Sequence, residues 1–410
     1  MSKSILYISY DGLTDPLGNS QILPYILELS HKGHEYYVLT YDKKDRFEQN
    51  KELVLKKIKD TTITWFSLRY HKKFSLFSTT YDILKGIYYL RKKLAKETID
   101  IIHCRGYVGS LIGISLIRFF NAKYIFDMRG FWPEEKVDGG AWKQHGFIYK
   151  IAKFFEKKFL FKASAIVVLT HKAKKYIKDN KDRYITSAPI YVIPTSTDLN
   201  HFKFDYNTKI KRLYELKEKL DFRLIYIGSI GSWYKPNEMF IFFSELLKRY
   251  PHSSFQMYIN NINLKNYLFE LINQIEIKQN VEMKDKIFID TSSYFLLPEK
   301  ISQCDISISF IEPCFSKMSS FPTKFGETIA CGLPTIINKG IGDTDTIVEE
   351  YNVGFVVEDF EIKEYQRVVQ KLPSLFSNPE KLLQRCYNLS QDIMDLSKGV
   401  NIYNNIYNSL

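Results

Sequence analysis

The sequence predicts an α/β protein of two doubly wound domains, each a parallel sheet with helices on both faces. Short uninterrupted apolar and β-branched runs alternate with helical patterns, as strands covered on both faces do. The alternation occurs twice. The 410 residues suffice for two domains of ordinary size, and 45% hydrophobic with 25% charged residues is close to the average for globular proteins. The front half has runs at 5–10, 36–41, 99–104, 123–128, 165–170 and 191–195; the back half has them at 223–230, 253–259, 286–290, 306–311, 334–338 and 353–357. After Pro194 comes a polar stretch with little helical periodicity, which reads as a linker. The expected division is 1–195, a linker at 196–209, 210–390, and a last helix at 391–410. Ligands of such sheets bind beyond the carboxyl ends of the strands, and two domains facing a central cleft would bring those loops together.

The stretch 107–117, closed by Arg118, is too short to span a bilayer, which takes about 20 residues. The amino end has an apolar run too short for a signal peptide core. A cytoplasmic protein is expected. Cys104, Cys304, Cys314, Cys331 and Cys386 are odd in number and far apart, which predicts buried thiols and neither disulfides nor a zinc site. The close pair His31 and His34 has no third ligand in reach, so no metal is expected. Net charge is +12, but residues 1–200 carry 34 basic and 20 acidic groups, whereas 201–410 carry 24 and 26. One half therefore faces an anionic partner, or the chain simply has a lysine-rich habit.

The first loop, 11–21, lies between a strand and a helix. Gly18 there lets a backbone approach a phosphate, or makes an ordinary turn. Directly after the first strand of the back half stand Gly228, Ser229 and Lys235, which can meet a diphosphate or form a tight turn. Further on, Ser319, Ser320, Pro322 and Thr323 open a helix that Gly332 and Pro334 close. Lys324 and Glu327 are one face of its first turn: the carboxylate can accept two vicinal sugar hydroxyls, the lysine can neutralise phosphate, or the two form a plain surface ion pair. The segment Phe126-Asp127-Met128-Arg129-Gly130-Phe131-Trp132-Pro133-Glu134-Glu135 follows a strand. Asp127 and Arg129 would reach the cleft, Trp132 offers a face for a sugar ring, and Glu134 or Glu135 can help deprotonate an acceptor; alternatively Asp127 and Arg129 form a structural pair. His103 and Arg105, beyond the preceding strand, are further acceptor-side candidates. The aromatic and lysine-rich stretch 147–161 packs on its own sheet or lies on a bilayer.

Taken together and in order, these segments resemble glycosyltransferase family 4, with its two-domain GT-B fold, over nearly the whole chain. The opening 11–21 followed by Gly33-His34 is similar to the family's glycine loop and second strand "G-H-x-V-x-V-L-T". Val192-Ile193-Pro194 with Asp198 and Phe202 resembles "V-I-P-N-G-V-D-x-x-x-F", and 324–334 resembles "K-x-x-E-x-x-A-x-G-x-P-V-I". The tail 403–407 is similar to a last helix that crosses back to the amino domain. The resemblance implies a nucleotide sugar in the carboxyl domain, with Glu327 on the ribose, Lys324 and the Gly228 loop near the diphosphate, and Gly18 lining the amino side. It also implies transfer with retention of anomeric configuration and no bound metal. Three departures stand out. Ser319 replaces the first member of the family's "E-x7-E" pair. Ser229 and a displaced Lys235 stand for an Arg and Lys. A histidine after the fourth strand is replaced by the 126–135 segment, as in a subgroup with "F-D-M-R-G-x-W-x-E-E".

The expected function is thus a metal-independent, retaining glycosyltransferase with no cofactor beyond its nucleotide-sugar donor. It extends a saccharide acceptor, lipid-linked, for a surface polysaccharide. Its amino domain would sit on the anionic inner face of the membrane through groups such as Arg91, Lys92, Lys93, Lys96, Lys150, Lys153, Lys157, Lys158, Lys172, Lys174, Lys175 and Lys178. No nucleic-acid partner is expected. A nucleotide-sugar 2-epimerase of the same fold is one alternative, and a non-catalytic sugar- or nucleic-acid-binding protein is another.

Overall fold

The structure, a computed structural model, describes residues 2–71, 75–231 and 233–410. The chain divides into two compact units, one of residues up to Pro194 together with Leu396–Leu410, the other Thr195–Asp395.

The first unit begins with β1 (Ser4–Ser9), α1 (Pro16–Gln21), α2 (Leu23–His31), β2 (Glu35–Asp42), α3 (Lys44–Ile58) and β3 (Ile63–Arg69). It continues through α4 (Ser75–Lys93), β4 (Ile101–Arg105), α5 (Gly106–Ile114), α6 (Ile117–Phe120), β5 (Lys123–Asp127), α7 (Trp132–Asp138), α8 (Phe147–Lys162), β6 (Ala165–Val168), α9 (His171–Asp179) and β7 (Ile190–Val192). The strands form one sheet in the order β3-β2-β1-β4-β5-β6-β7, and every pairing is parallel. Runs such as Ile5, Leu6 and Ile8 are fully buried because helices cover both faces.

The second unit comprises α10 (Tyr206–Lys219), β8 (Arg223–Gly228), α11 (Pro236–Arg249), β9 (Ser254–Ile259), α12 (Lys265–Gln279), β10 (Ile287–Asp290), α13 (Leu297–Ser302) and β11 (Ile306–Ser309). Then follow α14 (Thr323–Ala330), β12 (Thr335–Asn338), α15 (Thr344–Tyr351), β13 (Gly354–Val357), α16 (Ile362–Leu375) and α17 (Pro379–Leu389). Its sheet, also wholly parallel, runs β10-β9-β8-β11-β12-β13. In each sheet the strand order reverses beside the first strand, which places the ligand-binding crevices at β1/β4 and β8/β11. Each of the twelve predicted runs overlaps a strand. The thirteenth, β3, is an addition to the sequence reading: an edge strand, it interleaves Thr64 and Ser67 with its apolar residues and leaves Trp65 and Phe66 half exposed.

Residues 196–209, expected as a linker, lie in the second unit. Phe202 belongs to its core, Asp205 caps α10 by accepting from the Thr208 amide at 2.8 Å, and the helix starts at Tyr206. A π-helical turn, Ser390–Met394, ends the unit before the last helix, α18 (Leu396–Ser409). That helix belongs to the first unit, where Val400, Tyr403, Ile406 and Tyr407 join Tyr25, Ile26 and Leu29 of α2 in one core. A Cβ at Gly399 would come within 2.7 Å of the Tyr25 ring, so the close approach of α18 requires glycine there. Among the described residues no helix is long and apolar enough to cross a membrane.

Candidate functional site

In the first unit the carboxyl ends of β1, β4 and β5 bring together Tyr7, His103, Arg105, Asp127 and Arg129. Asp127, the last residue of β5, is fully buried. Its Oδ2 accepts from the Tyr403 hydroxyl at 3.0 Å, and lies 3.7 Å from both His103 Nε2 and Arg105 NH1. Arg129 NH1 is 3.8 Å from Oδ1. Arg129 holds φ at 56°, a left-handed backbone unusual for a side chain with a Cβ, and the turn folds it back beside the strand it has just left. Burial works against the Asp127 charge, but Arg129, His103 and Arg105 outweigh it and hold the carboxyl below its usual range. Burial likewise lowers the pKa of His103. The Tyr36 hydroxyl donates to that of Tyr407 at 3.2 Å, and the Tyr407 oxygen lies 2.7 Å from His103 Nδ1. With the Tyr407 hydroxyl donating its hydrogen bond to Nδ1, the neutral ring carries its N–H on Nε2, facing Asp127. His103 Nε2 and Asp127 Oδ1 are buried without a hydrogen-bond partner.

The other amino-side candidates are placed differently. Glu134 is buried, and its Oε1 accepts from Arg183 at 2.8 Å, Lys153 at 2.8 Å and Tyr149 at 3.1 Å. Lys153 also pairs with buried Glu156, which takes the Tyr107 hydroxyl. Glu134 thus ties α7 to α8 as part of an ion network. Glu135, its neighbour, is half exposed. Trp132 is half buried, with Tyr107 tilted against it at 5.5 Å and Trp142 edge-on at 4.9 Å, so its ring is already packed by protein. Gly18 serves packing: a Cβ there would lie 1.9 Å from the Gly12 carbonyl oxygen, so α1 rests directly on the loop backbone.

In the second unit a small cavity of about 30 Å³ opens beside the carboxyl ends of β8, β11 and β12, lined by Ile227, Ser309, Lys324, Asn338 and Thr344 among others. Pro322 caps α14, Thr323 is its first residue, and Lys324 Nζ donates to Glu327 Oε2 at 2.7 Å. Glu327 is buried, whereas the Lys324 side chain is one-third exposed. Burial raises the Glu327 pKa, opposed by Lys324 and by His201. His201 stacks on Tyr294 with centroids 4.4 Å apart and has Nε2 3.0 Å from the Tyr294 carbonyl oxygen. Sequence reasoning missed both rings, although Asp198 and Phe202 of the recognised linker motif bracket His201. Ser319 is buried, with its hydroxyl donating to the Ser316 carbonyl at 2.8 Å, and Ser320 is half exposed. At the end of β8, the Tyr226 hydroxyl donates to the Ser229 carbonyl at 2.6 Å and holds the turn after Gly228. Lys235 donates to Glu312 at 2.7 Å across that loop. Among the described residues no three His, Cys, Asp or Glu side chains are grouped to hold a metal ion.

The stretch 24–201 matches the sequence model of Glycosyltransferase Family 4. No curated protein sequence matches the chain significantly. Solved structures that are similar include HepE from Anabaena in complex with UDP and glucose, 13% identical, covering 100% of both chains with a TM-score of 0.66. Sucrose-phosphate synthase from Thermosynechococcus elongatus is 13% identical over 99% of this chain and 98% of its own, with a TM-score of 0.67. A glycosyltransferase from Rickettsia africae is 16% identical over 100% and 98%, with a TM-score of 0.66. The architecture of two Rossmann-like parallel-sheet units is the GT-B fold, and the resemblance to family 4 holds in the amino half.

Proposed function

We propose that this chain, of GT-B fold and carrying the family 4 glycosyltransferase pattern over 24–201, is a retaining glycosyltransferase that moves a sugar from a nucleotide-diphosphate sugar to a lipid-linked saccharide in surface polysaccharide synthesis. The carboxyl unit takes the donor. Glu327 accepts the two ribose hydroxyls, while Lys324 and the amino end of α14 face the diphosphate. Lys324 and Lys235 meet the charge that develops as the diphosphate departs, which is the basis for proposing metal-independent transfer. In the amino unit, Arg129 and Arg105 are the donors to an acceptor phosphate or sugar hydroxyl, with Asp127 fixing their position. The protein works in the cytoplasm, at the inner face of the membrane.

The observation that carries this reading is Glu327, a buried carboxylate held by Lys324 in the first turn of α14. Titration calorimetry with UDP and UDP-glucose, the ligands of the HepE structures, tests it. Each charge-assisted hydrogen bond contributes about 1.5–3 kcal/mol, so Glu327→Ala lowers nucleotide affinity at least about tenfold. Glu327→Gln falls between the two. Equal affinity in parent and alanine variant overturns the assignment.

A further inference from the structure

On the first unit, α4, α5 and α8 form one layer, with α5 packed between the other two and against β1, β4 and β5. Both flanking helices have an apolar stripe on the side turned away from the sheet. On α4 it is Phe77, Tyr81, Leu84 and Tyr88, from 55% to 79% exposed. Their spacing of four, three and four residues sets them on one face, opposite the buried Asp82 and Leu90. On α8 the same geometry recurs with Phe147, Ile151, Phe154 and Phe161, from 40% to 78% exposed, opposite buried Tyr149, Glu156 and Leu160. Helices that pack on a sheet need one apolar face; these have two.

The charges around the stripes have one sign. The only acidic residues of α4 and α8 are Asp82 and Glu156, both at 0% exposure, and α5 and α6 contain none. The exposed charges of the layer are Arg91, Lys92, Lys93, Arg118 and the outer lysines of α8. They stand against the aromatics: Lys158 Nζ is 4.3 Å from the Phe154 ring centre, and the Arg91 guanidinium is 5.4 Å from that of Phe119.

We propose that the outer face of the α4–α5–α8 layer lies on an anionic lipid bilayer, with both aromatic stripes at the acyl boundary and the cations at the headgroup phosphates. The inference rests on the reading of the acceptor as lipid-linked and adds the face and the mode of docking. Rings seated at the boundary beneath lysine and arginine are the composition of an interfacial helix. A second copy of the chain would set cation against cation, and protein interfaces are depleted in lysine.

The test uses the full-length protein and vesicles of phosphatidylcholine, with or without an equal part of phosphatidylglycerol, in a co-sedimentation assay. Variants carry Leu84→Gln with Tyr88→Gln, or Ile151→Gln with Phe154→Gln, all at exposed positions where glutamine keeps the helix. The parent binds anionic vesicles, and each variant binds at least about tenfold more weakly while its UDP affinity is unchanged. Binding that molar salt abolishes but the variants leave intact overturns the proposal in favour of a purely electrostatic contact. Absence of vesicle binding also overturns it, as does a parent dimer that the variants turn into monomers without change in vesicle binding. Failure of the parent to bind any nucleotide instead counts against the transfer reading, and the vesicle result still decides the docking face.

Discussion

Replacing Asp127 with asparagine tests how the amino-unit cluster is held together. The substitution keeps an acceptor for the Tyr403 hydroxyl but removes the buried negative charge that Arg105, Arg129 and the His103 ring share. Breaking a buried ion cluster by removing one partner costs about 3–5 kcal/mol. Here both guanidinium groups are beyond hydrogen-bond distance, at 3.7 and 3.8 Å, which argues for the lower end. A loss of about 3 kcal/mol, with an m-value near 2 kcal/mol/M in urea, moves the midpoint of the first unit down by roughly 1.5 M. Tryptophan fluorescence reads this transition, because Trp65, Trp132 and Trp142 lie in the first unit and Trp233 in the second. The pH dependence has a definite sign. The Asp127 pKa is depressed in the folded state, so its contribution is present above the ordinary carboxyl value of 3.8 and is lost as pH falls through the folded value. The gap between parent and variant is therefore full at pH 7 and closes in strong acid. His103, also depressed from 6.5, withdraws stability earlier, as pH falls from there through its folded value, in both proteins. An unchanged midpoint at pH 7, or a gap that widens on acidification below 3.8, would refute the account.

Two further outcomes are expected. Gly18→Ala forces a Cβ to within 1.9 Å of the Gly12 carbonyl oxygen and lowers the first unit's stability by about 1–3 kcal/mol, visible in the same urea transition; a neutral substitution would show that α1 is free to shift. Transfer activity survives chelation by EDTA, because cationic side chains are assigned the diphosphate charge, and turnover that is lost in EDTA and restored by manganese contradicts that assignment.

The architecture was legible in the sequence because buried parallel strands announce themselves as continuous apolar runs, as in Ile5 to Ile8 or Ile225 to Ile227. The edge strand β3 does not: its Trp65 indole donates to Thr40 and its Ser67 hydroxyl to Asp42, polar contacts that break the run while holding the strand in place. Lys324 and Glu327 could be paired from their spacing alone, since one helical turn joins them. Glu134 could not be read so, because Lys153 reaches it only through the packing of α7 and α8, and Arg183 only from the segment between α9 and β7. The same holds for His201 and Tyr294, a stack formed across 93 residues. Neighbours along a helix are visible to sequence reasoning, and neighbours across a fold are not.

The placement of α18 sets an order in time. The hydroxyls of Tyr403 and Tyr407 supply the hydrogen-bond partners of Asp127 Oδ2 and His103 Nδ1, yet they are made after the whole of Thr195–Asp395. At about 5–20 residues per second, the ribosome finishes β7 roughly 10–40 s before it reaches α18. During that interval the nascent first unit carries an uncovered groove beside α2, where Tyr25, Ile26 and Leu29 await their partners. The first unit to begin folding is therefore the last to finish, and a message cut short within its final helix yields a chain whose second unit is whole while the cluster around Asp127 is left open to water.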